Sequence, residues 1–172
     1  HIWRDINRLT RMKLPTLDDL GDKPFVFFPL HTEPEQALQA LSPEFLHQHA
    51  AIVSIARDLP AGVILVVKEH MTAVGRRSEN FYDQLRDFRN VVLMDPLEFG
   101  LDVVRKANAL ITISGTAGTE AAVLGKPVIT FGRHNNYDFL PHVRVVTREE
   151  DLRGYLDEAL NGGIDLEKAK LD

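Results

Sequence analysis

The stretch ALITISGTAGTEAAVLGKPVITFG, residues 109–132, predicts the fold of this chain. Its apolar opening, Ala109–Ile113, is typical of a buried strand, and small flexible residues follow where that strand would turn into a helix. Gly125 ends the helix, and Pro127–Phe131 is a second apolar strand. This order predicts one βαβ unit. Because the first N–H groups of a helix are unpaired and lie at the positive end of its dipole, we expect an anion at residues 114–120.

The rest of the chain repeats this alternation of apolar strands and amphipathic helices. Further strands are predicted at Phe25–Leu30, Val63–Val67, Val91–Met94 and Val143–Val146, and helices at residues 42–59, 78–88, 98–106 and 148–160. Near-continuous apolar strands indicate a parallel sheet that is covered on both faces. We therefore predict an α/β fold over residues 25–172, a Rossmann-like doubly wound parallel sheet of about six strands with helices on both faces.

Composition limits the classes to which the protein can belong. The 172 residues suffice for one domain with a core, and the net charge of −5 gives no general attraction to nucleic acid. The sequence has no cysteine, which excludes a disulfide framework and a thiolate metal site and fits a cytoplasmic location. No apolar run approaches the roughly 20 residues of a membrane span.

Residues 1–24 are predicted to form an N-terminal amphipathic helix and a linker. The segment HIWRDINRLTRMKL places apolar residues at helical spacing between basic ones. We expect this helix to pack on its own domain or on a neighbouring one. The alternative is peripheral association with the cytoplasmic face of the inner membrane. Since the chain opens at His1 rather than Met, we also expect a piece of a longer protein.

Polar segments follow the predicted strands, where ligands of doubly wound sheets bind. They are His31–Glu35, Lys68–His70, Asp95–Pro96, residues 114–116 and residues 132–134. Because the carboxyl ends of parallel strands meet at one edge of the sheet, we expect these segments to share one rim. Arg76 and Arg77 lie in the turn after the second of these segments. They could bind sugar or phosphate, but a solvated turn is the expected structure.

A phosphate is expected at residues 114–120, held by backbone N–H groups and the hydroxyls of Ser114, Thr116 and Thr119. Two glycines spaced for close approach, Gly115 and Gly118, favour this over a plain helix cap. Glu120, in the first helical turn, either accepts two ribose hydroxyls or only stabilises the helix dipole. Pro127 after Gly125-Lys126 excludes a P-loop, and the absence of G-x-G-x-x-G argues against a nicotinamide or flavin cofactor.

Side chains of the other segments could supply charge and proton transfer. Lys68 and His70 alternate along a strand end, so both should point to one side and could neutralise a diphosphate. The alternative is an exposed strand end. His31 and Glu35 could act as general acid or base, although Glu35 could instead mark a helix entry. No H-E-x-x-H motif is present, and we predict no metal site.

Together these motifs resemble the capsule polysaccharide biosynthesis protein family, which contains Kdo-type transferases of bacterial capsule export systems. The matching segments are Phe27–His31 with Pro34-Glu35, Val67–His70, Ser114–Glu120 and Gly125–Gly132. The resemblance implies the C-terminal, nucleotide-binding half of a GT-B-type glycosyltransferase, with the acceptor in the cleft between two halves. Met71 stands where the family usually has proline.

The resemblance also implies roles for individual residues. Lys68, His70 and residues 114–116 would contact the donor phosphate and Glu120 the ribose, while His31 and Glu35 would face the cleft as catalytic residues. The enzyme would need no metal or cofactor beyond its nucleotide-sugar donor, which would be CMP- or UDP-linked. Its acceptor would be a glycan or a lipid-linked molecule. Three alternatives stay open: a CDP-glycerol-type glycerophosphotransferase, a sugar-nucleotide 2-epimerase and a non-catalytic nucleotide-binding module.

Overall fold

Six parallel strands form the centre of the molecule. They are β1 (Phe25–Pro29), β2 (Ile64–Lys68), β3 (Val91–Met94), β4 (Ala109–Thr112), β5 (Val128–Thr130) and β6 (Val143–Val145). Their order in the sheet is β3-β2-β1-β4-β5-β6, and neighbouring strands pair in parallel. This is the order of doubly wound folds with a switch point between β1 and β4, which confirms the predicted α/β Rossmann-like class.

The computed structural model describes residues 2–32, 48–78, 80–132 and 135–164. Six α-helices lie in these ranges: α1 (Ile2–Arg11), α2 (Gln48–Asp58), α3 (Phe81–Arg86), α4 (Gly100–Lys106), α5 (Thr116–Val123) and α6 (Leu152–Leu160). Short 3-10 helices occur at Asp18–Leu20, Met71–Ala73 and Glu149–Asp151. Among the described residues, no helix is long and apolar enough to cross a membrane.

The sheet has an apolar core on each face. In β1, Val26 and Phe28 join the core under α2, α3 and α6, while Phe25 and Phe27 join the core under α4 and α5. All four side chains are at most 1% exposed. Burying a large apolar side chain contributes about 2–3 kcal/mol, so a strand covered on both faces needs apolar residues at every position. This requirement explains why the strands read as continuous apolar runs.

Three helices begin later than the sequence pattern indicates. The helix predicted from residue 148 starts at Leu152, after the 3-10 helix Glu149–Asp151. The predicted helix from residue 98 starts at Gly100, because the Asp95 carboxylate accepts the Leu97 N–H at 2.8 Å and its carbonyl accepts the Glu98 N–H at 3.2 Å. These bonds make residues 95–98 a turn. The helix predicted from residue 78 likewise starts at Phe81, after a turn. The predicted start of α2 at Ser42 lies outside the described residues.

The N-terminal helix packs on the domain itself. Leu9 of α1 is buried in the core that also holds β1, and Arg8 forms an ion pair with Asp83 of α3. Trp3 is exposed on this helix. Residues 12–15 then run beside β3, one of the two outer strands of the sheet, and the Pro15 carbonyl accepts the N–H of Asp95, the residue that follows that strand.

Candidate functional site

A crevice of about 310 Å³ opens where the strand order of the sheet reverses. Its walls come from the carboxyl ends of β1 and β2 and from the starts of α4 and α5. Four of the residues predicted from the sequence line it together: Lys68, His70, Thr116 and Glu120. A topological switch point is the usual ligand position in open parallel sheets. The predicted rim and its four polar side chains therefore lie in one place.

The start of α5 carries no side-chain cap. Gly115 is the residue before the helix, and no side chain of the described residues accepts from the first turn. Thr116 and Ala117 of that turn line the crevice. Because the first N–H groups of a helix lack partners within the helix and carry partial positive charge, this end of the crevice is suited to an anion.

The ammonium group of Lys68 stands at the same crevice in a half-buried position. Burial lowers the pKa of Lys68 below its ordinary value of 10.5, and the nearby carboxylates of Glu69, Asp95 and Glu98 partly oppose this. Its Nζ donates one long hydrogen bond, 3.4 Å, to the Glu69 carbonyl. A cation with weak protein contacts in a partly desolvated position attracts an anionic ligand more strongly than it would in water.

The ring of His70 is exposed and held by the residue two positions later. Its Nδ1 accepts the backbone N–H of Thr72 at 3.3 Å and lies 2.8 Å from the Thr72 hydroxyl. A neutral imidazole that accepts at Nδ1 carries its hydrogen on Nε2. His70 can therefore donate a hydrogen bond from Nε2 to an anionic oxygen.

Glu69, between these two residues, turns into the core. Its carboxylate is buried and accepts hydrogen bonds from Arg77 Nε at 2.7 Å, Tyr82 Oη at 2.9 Å and the His70 N–H at 2.7 Å. The expectation of a solvated turn is wrong for Arg77, which is 7% exposed, while Arg76 is exposed. The buried carboxylate is the reason, since a buried charge requires a partner.

His31 lies behind the crevice rather than on its wall. It is 5% exposed, and its Nε2 accepts the Ser114 N–H at 3.2 Å. Burial, partly opposed by Gln48 and reinforced by the Arg77 guanidinium, lowers the pKa of His31 to about 4. The imidazole is therefore neutral near neutral pH, and its contacts hold two strand-end loops together. A catalytic role for His31 stays a prediction, and Glu35 lies outside the described residues.

Ser114 and Gly115 also lie behind the crevice. The Ser114 hydroxyl is buried without a hydrogen-bond partner among the described residues, and its N–H is taken by His31. A Cβ at Gly115 would lie 2.9 Å from His31 Nε2, and one at Gly118 would lie 2.6 Å from Cζ of Tyr137. Both glycines are thus needed because a neighbouring side chain lies close to each of them. Their spacing is therefore no longer an argument that a phosphate binds here.

The structure adds crevice residues that the sequence did not single out. Phe99, which is 65% exposed, lines the crevice with Leu101, opposite the start of α5. The signal that could have identified Phe99 is its position just after the carboxyl end of β3, on the predicted rim. Among the described residues no group of three or more histidines and carboxylates could hold a metal ion.

Comparison with known proteins identifies a family. Residues 5–140 match the family model described as capsule polysaccharide biosynthesis protein, which is well over half of the chain. No curated protein matches the sequence.

Several solved structures share the fold. Two matches are to KpsC from Thermosulfurimonas dismutans. The β-Kdo 2,4 transferase matches with a TM-score of 0.56 and 20% identity, and the match covers 80% of this chain and 44% of that one. The β-Kdo 2,7 transferase matches with a TM-score of 0.58 and 19% identity, and the match covers 92% of this chain and 51% of that one. A third is the UDP-GlcNAc 2-epimerase of Methanocaldococcus jannaschii in complex with UDP-GlcNAc and UDP. It matches with a TM-score of 0.62 and 18% identity, and the match covers 90% of this chain and 42% of that one. At such identities the likeness establishes the fold alone, and the chain spans about half or less of each of these structures.

Proposed function

The chain belongs to the capsule polysaccharide biosynthesis protein family, and we propose that it is the donor-binding half of a GT-B-type glycosyltransferase. In this proposal it binds a nucleotide-activated sugar for transfer to a bacterial capsule or surface polysaccharide. The observation that carries the proposal is the crevice at the switch point, where an uncapped helix start, Lys68, His70 and Glu120 converge.

These groups suit the parts of a nucleotide-sugar. The helix start and Lys68 would hold the donor phosphate, and His70 would donate from Nε2 to a phosphate oxygen. The carboxylate of Glu120 would accept the ribose hydroxyls, and the exposed ring of Phe99 would offer its face to the base. In the transfer, the bond from the anomeric carbon to the phosphate oxygen breaks and a bond to the oxygen of an acceptor hydroxyl forms. The proton of that hydroxyl passes to a general base in the cleft between the two halves. The electron pair leaves with the phosphate, where these cations stabilise it.

The acceptor site is proposed to lie outside this chain. Enzymes of the GT-B type have two halves, and the chain spans 44% and 51% of the two transferase structures. We place the acceptor, a glycan or a lipid-linked one, in the cleft between this half and its partner half, on the cytoplasmic side of the inner membrane. Contact with that membrane would use α1, on which Trp3 is 78% exposed.

A sugar-nucleotide 2-epimerase is the second candidate. The M. jannaschii epimerase superposes with a TM-score of 0.62, above the values for the two transferase matches. Both activities need a nucleotide-sugar in this half, so the binding site is common to them. They differ in the product, because an epimerase returns an altered nucleotide-sugar and a transferase releases free nucleotide.

Calorimetric titration with CMP, UDP and CDP tests the proposed binding site. We expect one nucleotide to bind, and expect His70→Ala and Glu120→Ala each to weaken it by about tenfold. Asp157→Ala, which removes an exposed carboxylate on α6, is the matched control and should bind as the wild type does. Binding of none of the three at millimolar concentration would refute the proposal. A preference for CDP would favour the glycerophosphotransferase, and tight binding without turnover by the full-length protein would favour the binding module.

A further inference from the structure

One buried hydrogen-bond network connects the strand ends that surround the crevice. Arg77 contacts the Glu69 carboxylate twice, with Nε to Oε2 at 2.7 Å and a terminal nitrogen to Oε1 at 2.9 Å. The same terminal nitrogen donates to the His31 carbonyl at 2.5 Å. The network therefore ties the loop after β2 to the loop after β1.

The network continues to the two residues that face the ligand position. Oε1 of Glu69 accepts the backbone N–H of His70 at 2.7 Å, which sets the direction in which the His70 ring leaves the chain. On the other side, the His31 ring accepts the N–H of Ser114 at 3.2 Å, two residues before the start of α5. Both ends of the crevice are thus fixed by a network of buried groups.

Stability alone is a poor explanation for this network. The side chains of Glu69 and Arg77 are 0% and 1% exposed, and desolvating two charges offsets much of their mutual attraction. Apolar residues of similar volume would often be as stable in such a position. A buried ion pair that also bonds the backbone of two strand-end loops fixes their geometry, which apolar residues cannot do.

We propose that Glu69 is a positioning residue for the nucleotide phosphate: it acts through His70, and Arg77 connects it to His31. The inference rests on the proposed function, because it assumes that His70 contacts the phosphate. It assigns to two buried residues an effect on ligand affinity that is transmitted through the backbone of the rim. The proposed route is the direct bond from the His70 N–H to the Glu69 carboxylate, so the loss of Glu69 weakens phosphate binding only where His70 is present to be misplaced.

A double-mutant cycle on nucleotide affinity tests this coupling. The probe is whichever of CMP, UDP or CDP binds the wild type, titrated by calorimetry into Glu69→Ala, His70→Ala and the double variant. We expect Glu69→Ala to weaken binding by about tenfold in the wild type and to have no further effect in His70→Ala. Glu69→Gln keeps an acceptor for the His70 N–H, so it should recover most of the affinity.

Loss of fold is separated from loss of position by a matched control. Leu85→Ala removes a buried side chain from α3 without touching the network, so it should lower the melting temperature and leave affinity unchanged. If Glu69→Ala does not fold, the cycle is run with Arg77→Lys, which keeps a cation beside Glu69 but loses the two-point contact with its carboxylate. Arg77→Lys should then weaken binding in the wild type and have no further effect in His70→Ala.

The outcomes separate the two proposals. Equal losses from Glu69→Ala with and without His70 would mean that Glu69 does not act through His70, and this would overturn the inference while the proposed function stands. An affinity loss in Leu85→Ala equal to that in Glu69→Ala would also overturn it. No nucleotide binding by the wild type would overturn the proposed function and this inference together.

Discussion

The imidazole of His31 and the backbone of Ser114 are joined across the switch point, with Nε2 and N 3.2 Å apart. The bond connects the loops that follow β1 and β4, which are 83 residues apart in sequence. Because the ring accepts through Nε2, it must be unprotonated there for the bond to form. The geometry of the rim therefore depends on a neutral His31.

Acid should destabilise the domain through His31. Its pKa falls from the ordinary 6.5 to about 4 on folding, so below pH 6.5 the unfolded chain binds the proton first. The contribution of His31 is complete above that value and is lost as the pH falls towards 4. Urea unfolding at about pH 7.5 and about pH 5.5 should differ by about 1 kcal/mol more in the wild type than in His31→Gln. Equal pH dependence in both proteins would contradict this prediction.

Alanine at Gly118 should destabilise the domain, because the added methyl group overlaps the Tyr137 side chain. We expect a loss of about 2 kcal/mol in the free energy of unfolding, the usual cost of overpacking a buried position. Gly154, which lies in α6 with open space around its Cα, is the control: Gly154→Ala should stabilise by about 0.5–1 kcal/mol. Both values come from urea unfolding. If Gly118→Ala leaves the free energy of unfolding unchanged, the Tyr137 side chain can move aside at no cost and the prediction is wrong.

Lys68 should make nucleotide affinity depend on alkaline pH. Its pKa lies below 10.5, so it loses its charge, and with it the attraction for phosphate, at a lower pH than an exposed lysine does. Affinity measured from about pH 8 to about pH 10 should fall in the wild type and stay nearly constant in Lys68→Arg, since arginine remains charged. A fall of the same size in both proteins would place the titrating group elsewhere.

Removal of the Glu120 carboxylate should affect the recognition of ribose. Glu120→Ala is expected to weaken the bound nucleotide by about tenfold, the effect of losing a charge-assisted hydrogen bond. The 2′,3′-dideoxy form of the same nucleotide should bind the wild type and Glu120→Ala equally well, because it lacks the hydroxyls. Calorimetry measures all four affinities. If Glu120→Ala weakens both nucleotides alike, the carboxylate acts on some other part of the ligand.

The Phe99 ring should contribute to binding of the base. Phe99→Ala is expected to lower the affinity for the nucleotide by about tenfold, within the range measured for the stacking of a base on an aromatic ring. Ribose 5-phosphate has no base, so its affinity should not change, and Phe99→Tyr should bind the nucleotide like the wild type. If Phe99→Ala binds the nucleotide as tightly as the wild type does, the base does not contact Phe99 and must bind elsewhere in the crevice.

Local patterns were sufficient to predict the sheet and the place of the crevice. Apolar runs such as Phe25–Leu30 indicate strands because both faces of the sheet are covered, and polar residues after them mark the rim. The likeness of residues 109–132 to a βαβ unit is equally local. Family membership followed from the same segments and is confirmed by the family match.

The roles of individual rim residues depend on distant partners. In the sequence, Glu69 has the pattern of an exposed carboxylate at a strand end. Only the folded structure brings Arg77 and Tyr82 close enough to bond it. Ser114 as a phosphate ligand stays a prediction, and the bond from its N–H to His31 was not expected from the sequence. Such pairings depend on where the strand ends meet, and no spacing within one segment predicts them.

The position of residues 12–15 should hinder self-association through one edge of the sheet. The segment lies beside β3, where the backbone groups of an outer strand would otherwise be open to another chain. The bond from Asp95 N to the Pro15 carbonyl, 2.9 Å long, holds the segment at the end of that strand. A protein that begins at Phe25 would keep all six strands, but it would lose Leu9 and Leu20 from the two cores and uncover this edge. We therefore expect it to aggregate more readily than the full chain.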